Sequence, residues 1–86
     1  MFATSSESIN ISLAAAVIGT LINITLSCMT MPFATSAQIS PPNGAANLNF
    51  FSQIMHMLVH HNQVLLTSSL IIFVIVFLSV NLALSL

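Results

Sequence analysis

The side chains with the most reactive chemistry in this 86-residue chain are three histidines, His56, His60 and His61. Imidazole titrates near neutral pH and is the commonest metal ligand in proteins. His56 and His60 are four residues apart and therefore share a face of any helix that contains them. One such nitrogen could serve as the axial ligand of a chlorophyll magnesium. We keep two interpretations open: at least one histidine binds a pigment, or all three are polar residues at a membrane interface.

Other metal and catalytic chemistry is poorly supported by the sequence. A structural zinc site needs four ligands and a catalytic one needs three plus water, and no carboxylate lies near the histidines. Glu7 is the only acidic residue, and Cys28 lies in an apolar run where a thiol behaves as a small hydrophobe. No serine or cysteine is followed by a plausible base and an orienting carboxylate. We therefore predict no metal site of these kinds and a protein that is not an enzyme.

The composition indicates that lipid or other protein covers most of this chain. It has no lysine or arginine, one acidic residue and 57% hydrophobic residues, whereas roughly a quarter of the residues in a soluble protein are charged. Nucleic-acid binding is excluded, because it depends on cations that neutralise phosphates. The predicted partners are lipids and the other membrane subunits of a multiprotein complex.

Two uncharged segments are long enough to cross a bilayer. Residues 9–31 and 64–86 each contain 23 residues, or roughly 34 Å of helix, against a hydrocarbon core of about 30 Å. Two segments cannot close a barrel, so both are predicted to be helices. A cleaved secretory signal is the alternative for the first segment, although its start lacks positive charge. The predicted fold is an all-α integral membrane hairpin that forms one unit over residues 1–86.

The connecting segment, residues 32–63, contains a turn and a further helix. Pro32 is predicted to end the first span, and the turn residues from Ser40 to Gly44 exclude a spanning segment there. Residues 49–62 then alternate apolar and polar groups with helical spacing. Because Phe50, Ile54, Met57 and Leu58 fall on one side, we predict a short helix lying along the membrane interface.

The first span carries rows of small and hydroxylated residues that favour helix packing. Lipid provides no hydrophobic drive for helices to associate, so small residues and interhelical hydrogen bonds must hold them together. Asn23 and Asn81 are candidate donors between helices, with tolerated polar residues as the equally weighted alternative. The predicted packing residues are Ser12, Ala15, Ala16, Gly19, Thr20, Asn23 and Asn81.

The arrangement of two spans around a loop of about thirty residues with a Pro-Gly turn resembles subunit K of photosystem I. The turn is similar at Ala37, Ser40, Pro41, Gly44 and Ala46, and the entry to the second helix at Leu65, Leu66, Thr67, Ser68 and Ser69. The family's arginine after the first helix is absent, and its Gly-His pair is replaced around Leu70 and Ile71. Shorter stretches resemble photosystem II subunit Z, at Ser69–Leu70 and Val76–Leu78, and the first membrane helix of cytochrome c oxidase subunit II, at Ser52–His61.

The resemblance implies an accessory subunit that stabilises the periphery of a photosystem in the plastid thylakoid. It implies chlorophyll and carotenoid as cofactors and light-harvesting antenna proteins as partners. The family's own histidine ligand has no counterpart at Leu70 and Ile71, so the candidate chlorophyll ligands His56, His60 and His61 rest on imidazole chemistry alone. The alternatives are an accessory subunit of a respiratory complex in the mitochondrial inner membrane and a small self-assembling pore.

Overall fold

The computed structural model describes residues 5–86, and this part of the chain is helical with no strand. It contains the helices α1 (Ser5–Thr30), α2 (Ser36–Ile39), α3 (Phe50–Gln63) and α4 (Leu65–Ser85). Two short 3-10 turns, Met31–Phe33 and Ala45–Asn47, lie between them. The predicted all-α class is confirmed.

Two of these helices are long and apolar enough to cross a membrane. They are α1 together with the turn that follows it, with a mean hydropathy of 1.9, and α4, with a mean hydropathy of 2.5. In the structure α1 is already helical at Ser5, the first residue that the structure describes and four residues before the predicted start at Ile9. Glu7 near this end is favourable at the positive end of a helix dipole. It ends at Thr30, two residues before Pro32, since the residue that precedes a proline is disfavoured in the α conformation.

The helices α1 and α4 lie side by side and run in opposite directions. Asn23 bonds to Ser68, and farther down the pair Gly19 faces Ile72 and Val76. The contact is close because α1 presents small residues to α4: Ala16 is 0% exposed, and a Cβ added at Gly19 would lie 3.2 Å from Val76 Cγ2. Such narrow surfaces let two helix backbones approach each other in a membrane.

The distribution of polarity is the reverse of that in a water-soluble protein. The buried apolar residues of the described chain are only Ala16 and Val59, whereas its buried polar residues are Ser8, Ser12, Asn23, Ser27, Gln38 and Ser68. The large apolar side chains point outwards, and Leu21 and Leu70 are 57% and 58% exposed. Apolar patches of this extent are not left open to water in a monomeric soluble protein.

The segment between α1 and α3 folds against the start of α3. Thr35 and Gln38 form a capping box at the start of α2, and Gln38 Nε2 donates to Ser52 Oγ at 3.1 Å. The helix α3 begins with Asn49 Oδ1 accepting from the Ser52 amide at 2.8 Å, one residue from its predicted start. Gly44 occupies a positive φ of 90° before the second 3-10 turn, a conformation that glycine adopts without strain.

Candidate functional site

The helical backbone is interrupted between α3 and α4 at Val64. This residue has φ −123° and ψ 52°, outside the helical region. The bonding pattern of α3 ends where the Val64 amide donates to His60 O at 3.2 Å, and that of α4 begins where the Ser68 amide donates to Val64 O at 2.9 Å. The Ser68 hydroxyl donates to the freed carbonyl of His61 at 3.0 Å, with Leu65 O as a second acceptor at 3.2 Å.

Three polar side chains from three helices meet at this interruption, and we call Asn23, His61 and Ser68 the break cluster. Asn23 Nδ2 donates to Ser68 Oγ at 3.2 Å, and His61 Nδ1 lies 2.8 Å from Asn23 Oδ1. Asn23 and Ser68 are 8% and 5% exposed. The break cluster thus links α1 to the end of α3 and to the start of α4.

The hydrogen-bond roles within the break cluster follow from its acceptors. A backbone carbonyl can only accept, so the single hydroxyl proton of Ser68 is used towards His61 O and Leu65 O. Ser68 Oγ must then accept from the Asn23 amide, which leaves Asn23 Oδ1 facing the imidazole. Hence His61 Nδ1 carries a proton, and this N–H donates a hydrogen bond to Asn23 Oδ1.

A second histidine arrangement lies nearer the start of α3. His56 Nδ1 is 2.6 Å from Gln38 O, and because a carbonyl only accepts, this nitrogen must also carry a proton. The His60 ring packs edge-on against His56, with centroids 4.1 Å apart and planes inclined by 62°. His60 is exposed, whereas His56 is half-buried.

In both arrangements the imidazole donates through Nδ1. When Nδ1 carries the proton of a neutral His56 or His61, the other ring nitrogen, Nε2, keeps its lone pair.

No protein-family model, curated protein or solved structure matches this chain. Within residues 5–86 no three histidine, cysteine or acidic side chains converge on a common point that could hold a metal ion. Cys28 is exposed, and its sulfur accepts from Asn62 Nδ2 at 3.4 Å.

The helix-packing residues predicted from the sequence occupy different places in the structure. Ser12, Ala16 and Asn23 are buried, whereas Ala15, Gly19, Thr20 and Asn81 are half-buried. Ser12 and Thr20 donate to carbonyls of their own helix, at Ser8 O and Ala16 O. Asn81 bonds through its backbone carbonyl, which accepts from Ser85 Oγ at 2.9 Å. Asn23 alone of these residues bonds to another helix in the described chain.

Sequence reasoning missed Gln38 as a partner of His56 and Ser68 as a partner of Asn23. A signal existed for Gln38, because a threonine followed three residues later by glutamine is the sequence pattern of a capping box. Ser68 carried no local signal, since its role depends on the register in which α4 packs against α1.

The proton assignments predict a specific NMR result. In the ¹⁵N spectrum of the neutral protein, His56 and His61 are expected as Nδ1-protonated tautomers, because each donates Nδ1–H to an oxygen. His60, which makes a ring contact and is exposed, is the internal control and is expected in the tautomer mixture of a free imidazole. A majority of Nε2-protonated His56 would contradict the bond to Gln38 O.

Proposed function

We propose that the chain is an integral membrane protein in which α1 and α4 cross the bilayer as a hairpin and α3 lies at the interface. The observation that carries the proposal is the reversed polarity: polar side chains are buried between the helices, and large apolar ones point outwards. The interfacial position of α3 is supported by its exposed apolar side, where Phe50 is 78% and Met57 60% exposed. Leu58, predicted on the same side, is half-buried.

Within the membrane we propose a non-catalytic accessory subunit of a large energy-converting complex, a photosystem of the plastid thylakoid. The chain lacks lysine, arginine, tryptophan and tyrosine, the residues that usually set orientation and depth in a bilayer. Packing against neighbouring helices can set both instead, and the outer faces of α1 and α4 are apolar and available for it. The choice of a photosystem rests on the resemblance to subunit K of photosystem I.

The chain has side chains of the types that could bind the chlorophyll and carotenoid that this proposal includes. His61 lies where α3 meets the two long helices, and its Nδ1–H is bonded to Asn23, so a neutral His61 would offer Nε2 as a ligand to the magnesium of a chlorophyll. His56 and His60 lie farther from α4 and are the secondary candidates. A shallow apolar groove on the outer face of α1 suits a hydrocarbon chain such as a polyene, and its lining residues are Ile18, Leu21, Ile22, Thr25 and Leu26.

Purification of the tagged chain from its native membranes tests this function. We expect it to remain in the membrane after alkaline extraction and to migrate in a large complex whose absorption spectrum shows chlorophyll and carotenoid. Co-purification with haem and respiratory subunits would overturn the photosystem assignment in favour of a respiratory accessory role. A symmetric homo-oligomer without pigment would favour a pore, and recovery in the soluble fraction would overturn the membrane hairpin itself.

A further inference from the structure

We infer that His56 and His60 form a two-nitrogen chelate for an exchangeable first-row divalent transition ion, with Zn²⁺ as the test case. The pair lies on consecutive turns of α3, with His60 one turn before the break at Val64. This inference rests on the contacts of α3 and α2 and does not require the photosystem role; a pigment bound to His56 or His60 would compete with the ion for the same nitrogen.

The two imidazoles are already close to the separation that a shared ion requires. Rings that bind one zinc ion through nitrogens at about 2.0–2.1 Å place their centroids roughly 5 Å apart, and the observed separation is 4.1 Å. An opening of about 1 Å needs only a side-chain rotation. Because His60 is exposed, space on the solvent side is open to this rotation.

The ring of His56, the more buried of the two, is oriented by a hydrogen bond of the kind that metal-binding histidines usually make. Metal-binding histidines commonly donate their other ring N–H to a carbonyl or carboxylate, which fixes the tautomer and orients the ring. His56 Nδ1 does this with Gln38 O at 2.6 Å. That carbonyl is itself well positioned, because the Gln38 side chain bonds to the Thr35 amide at 2.9 Å and to Ser52 Oγ at 3.1 Å.

The surroundings of the pair select the class of ion. Two imidazoles with no carboxylate favour zinc and copper over magnesium and calcium, which prefer oxygen ligands. Two protein ligands leave the remaining coordination positions to water, so the ion exchanges readily and is not required for folding. His61 lies outside the chelate because it directly follows His60 and therefore projects about 100° away around the helix, whereas the ring contact joins His56 and His60.

The test is a Zn²⁺ titration of the full chain in lipid nanodiscs, followed by ¹⁵N NMR of the histidines. A Cys28→Ser background removes the thiol as a competing ligand. We expect saturable binding of one ion per chain, with Nε2 of His56 and a ring nitrogen of His60 shifting while His61 stays unchanged. Mg²⁺ added in excess should not displace the zinc.

Two matched variants decide the outcome. Loss of a residue that only orients a metal ligand typically weakens metal binding about 10–100-fold, so removal of a direct ligand in His60→Gln should weaken it roughly tenfold or more. Gln63→Ala, a substitution at an exposed polar residue on the last turn of α3 outside the break cluster, should leave the affinity unchanged. Equal losses in both variants, or no saturable binding in the parent chain, would overturn the inference. His56→Gln is not decisive, because it also removes the bond to Gln38.

Discussion

Replacement of Ala16 by leucine is expected to force α1 and α4 apart. Ala16 is 0% exposed in the seam between the two helices, so three additional carbon atoms have no space to occupy. Overpacking of this kind costs about 1–3 kcal/mol, which corresponds to a loss of the paired state of roughly fivefold to 150-fold. Gly19→Leu should act in the same way, because even a Cβ there would lie 3.2 Å from Val76 Cγ2.

The measurement is energy transfer between one dye at the start of α1 and another at the end of α4. Because the two helices are antiparallel, these two ends lie on the same side of the pair. Cysteines introduced at Ser5 and Ser85 in a Cys28→Ser background provide the attachment points. Ala16→Leu should lower the transfer efficiency in nanodiscs and reduce retention of the chain in its parent complex. Ala14→Leu is the matched control, since Ala14 is exposed on the same helix. If Ala16→Leu and Gly19→Leu both gave the transfer efficiency of the parent chain, close packing of α1 on α4 would be contradicted.

The positions of the long helices could be read from the sequence because each follows from a local property. The apolar runs predicted at residues 9–31 and 64–86 correspond to α1 and α4, with boundaries that differ by one residue except at the start of α1. The helix predicted at residues 49–62 corresponds to α3, shifted by one residue. Hydrophobic patterning and capping side chains act over a few residues, so they can be recognised without a fold.

The break cluster could not be read from the sequence because it depends on register and on a backbone interruption. Asn23 was expected between helices, but its acceptor Ser68 is 45 residues away. Nothing near Val64 marks an interruption: the sequence has no glycine or proline there, the residues that usually break a helix. The partner of His61 therefore follows only from the way in which α3 and α4 pack on α1.

The break cluster supplies a hydrogen-bond donor that the interruption at Val64 makes necessary. Ending the bonding pattern of α3 frees backbone carbonyls, and a free carbonyl is costly in an apolar environment. Ser68 supplies a proton to one of them, at His61, and Asn23 then donates to Ser68. Removing either side chain should therefore affect the local helix geometry as well as the contact between helices.

Asn23→Leu is accordingly the second substitution with a large expected effect. It removes the donor to Ser68 and the acceptor for His61 while keeping a side chain of similar size. Hydrogen bonds between membrane helices average about 0.6 kcal/mol, with maxima near 1.7, and the partly buried imidazole N–H of His61, left without an acceptor, adds about 1 kcal/mol. The free energy of helix pairing should fall by about 2 kcal/mol, and the His61 Nδ1–H signal should lose the NMR signature of its bond to Asn23.

Asn81→Leu provides the matched control because both asparagines were predicted as donors between helices. Asn81 is half-buried on α4, and its bond to Ser85 uses the backbone carbonyl, which a leucine retains. Its replacement should leave pairing unchanged within about 0.5 kcal/mol, as measured by the same energy transfer between Ser5 and Ser85. Equal losses at the two positions would mean that asparagine stabilises the pair through general polarity along the seam. A loss confined to Asn23 would identify the break cluster as the polar contact that fixes the register of α4 on α1.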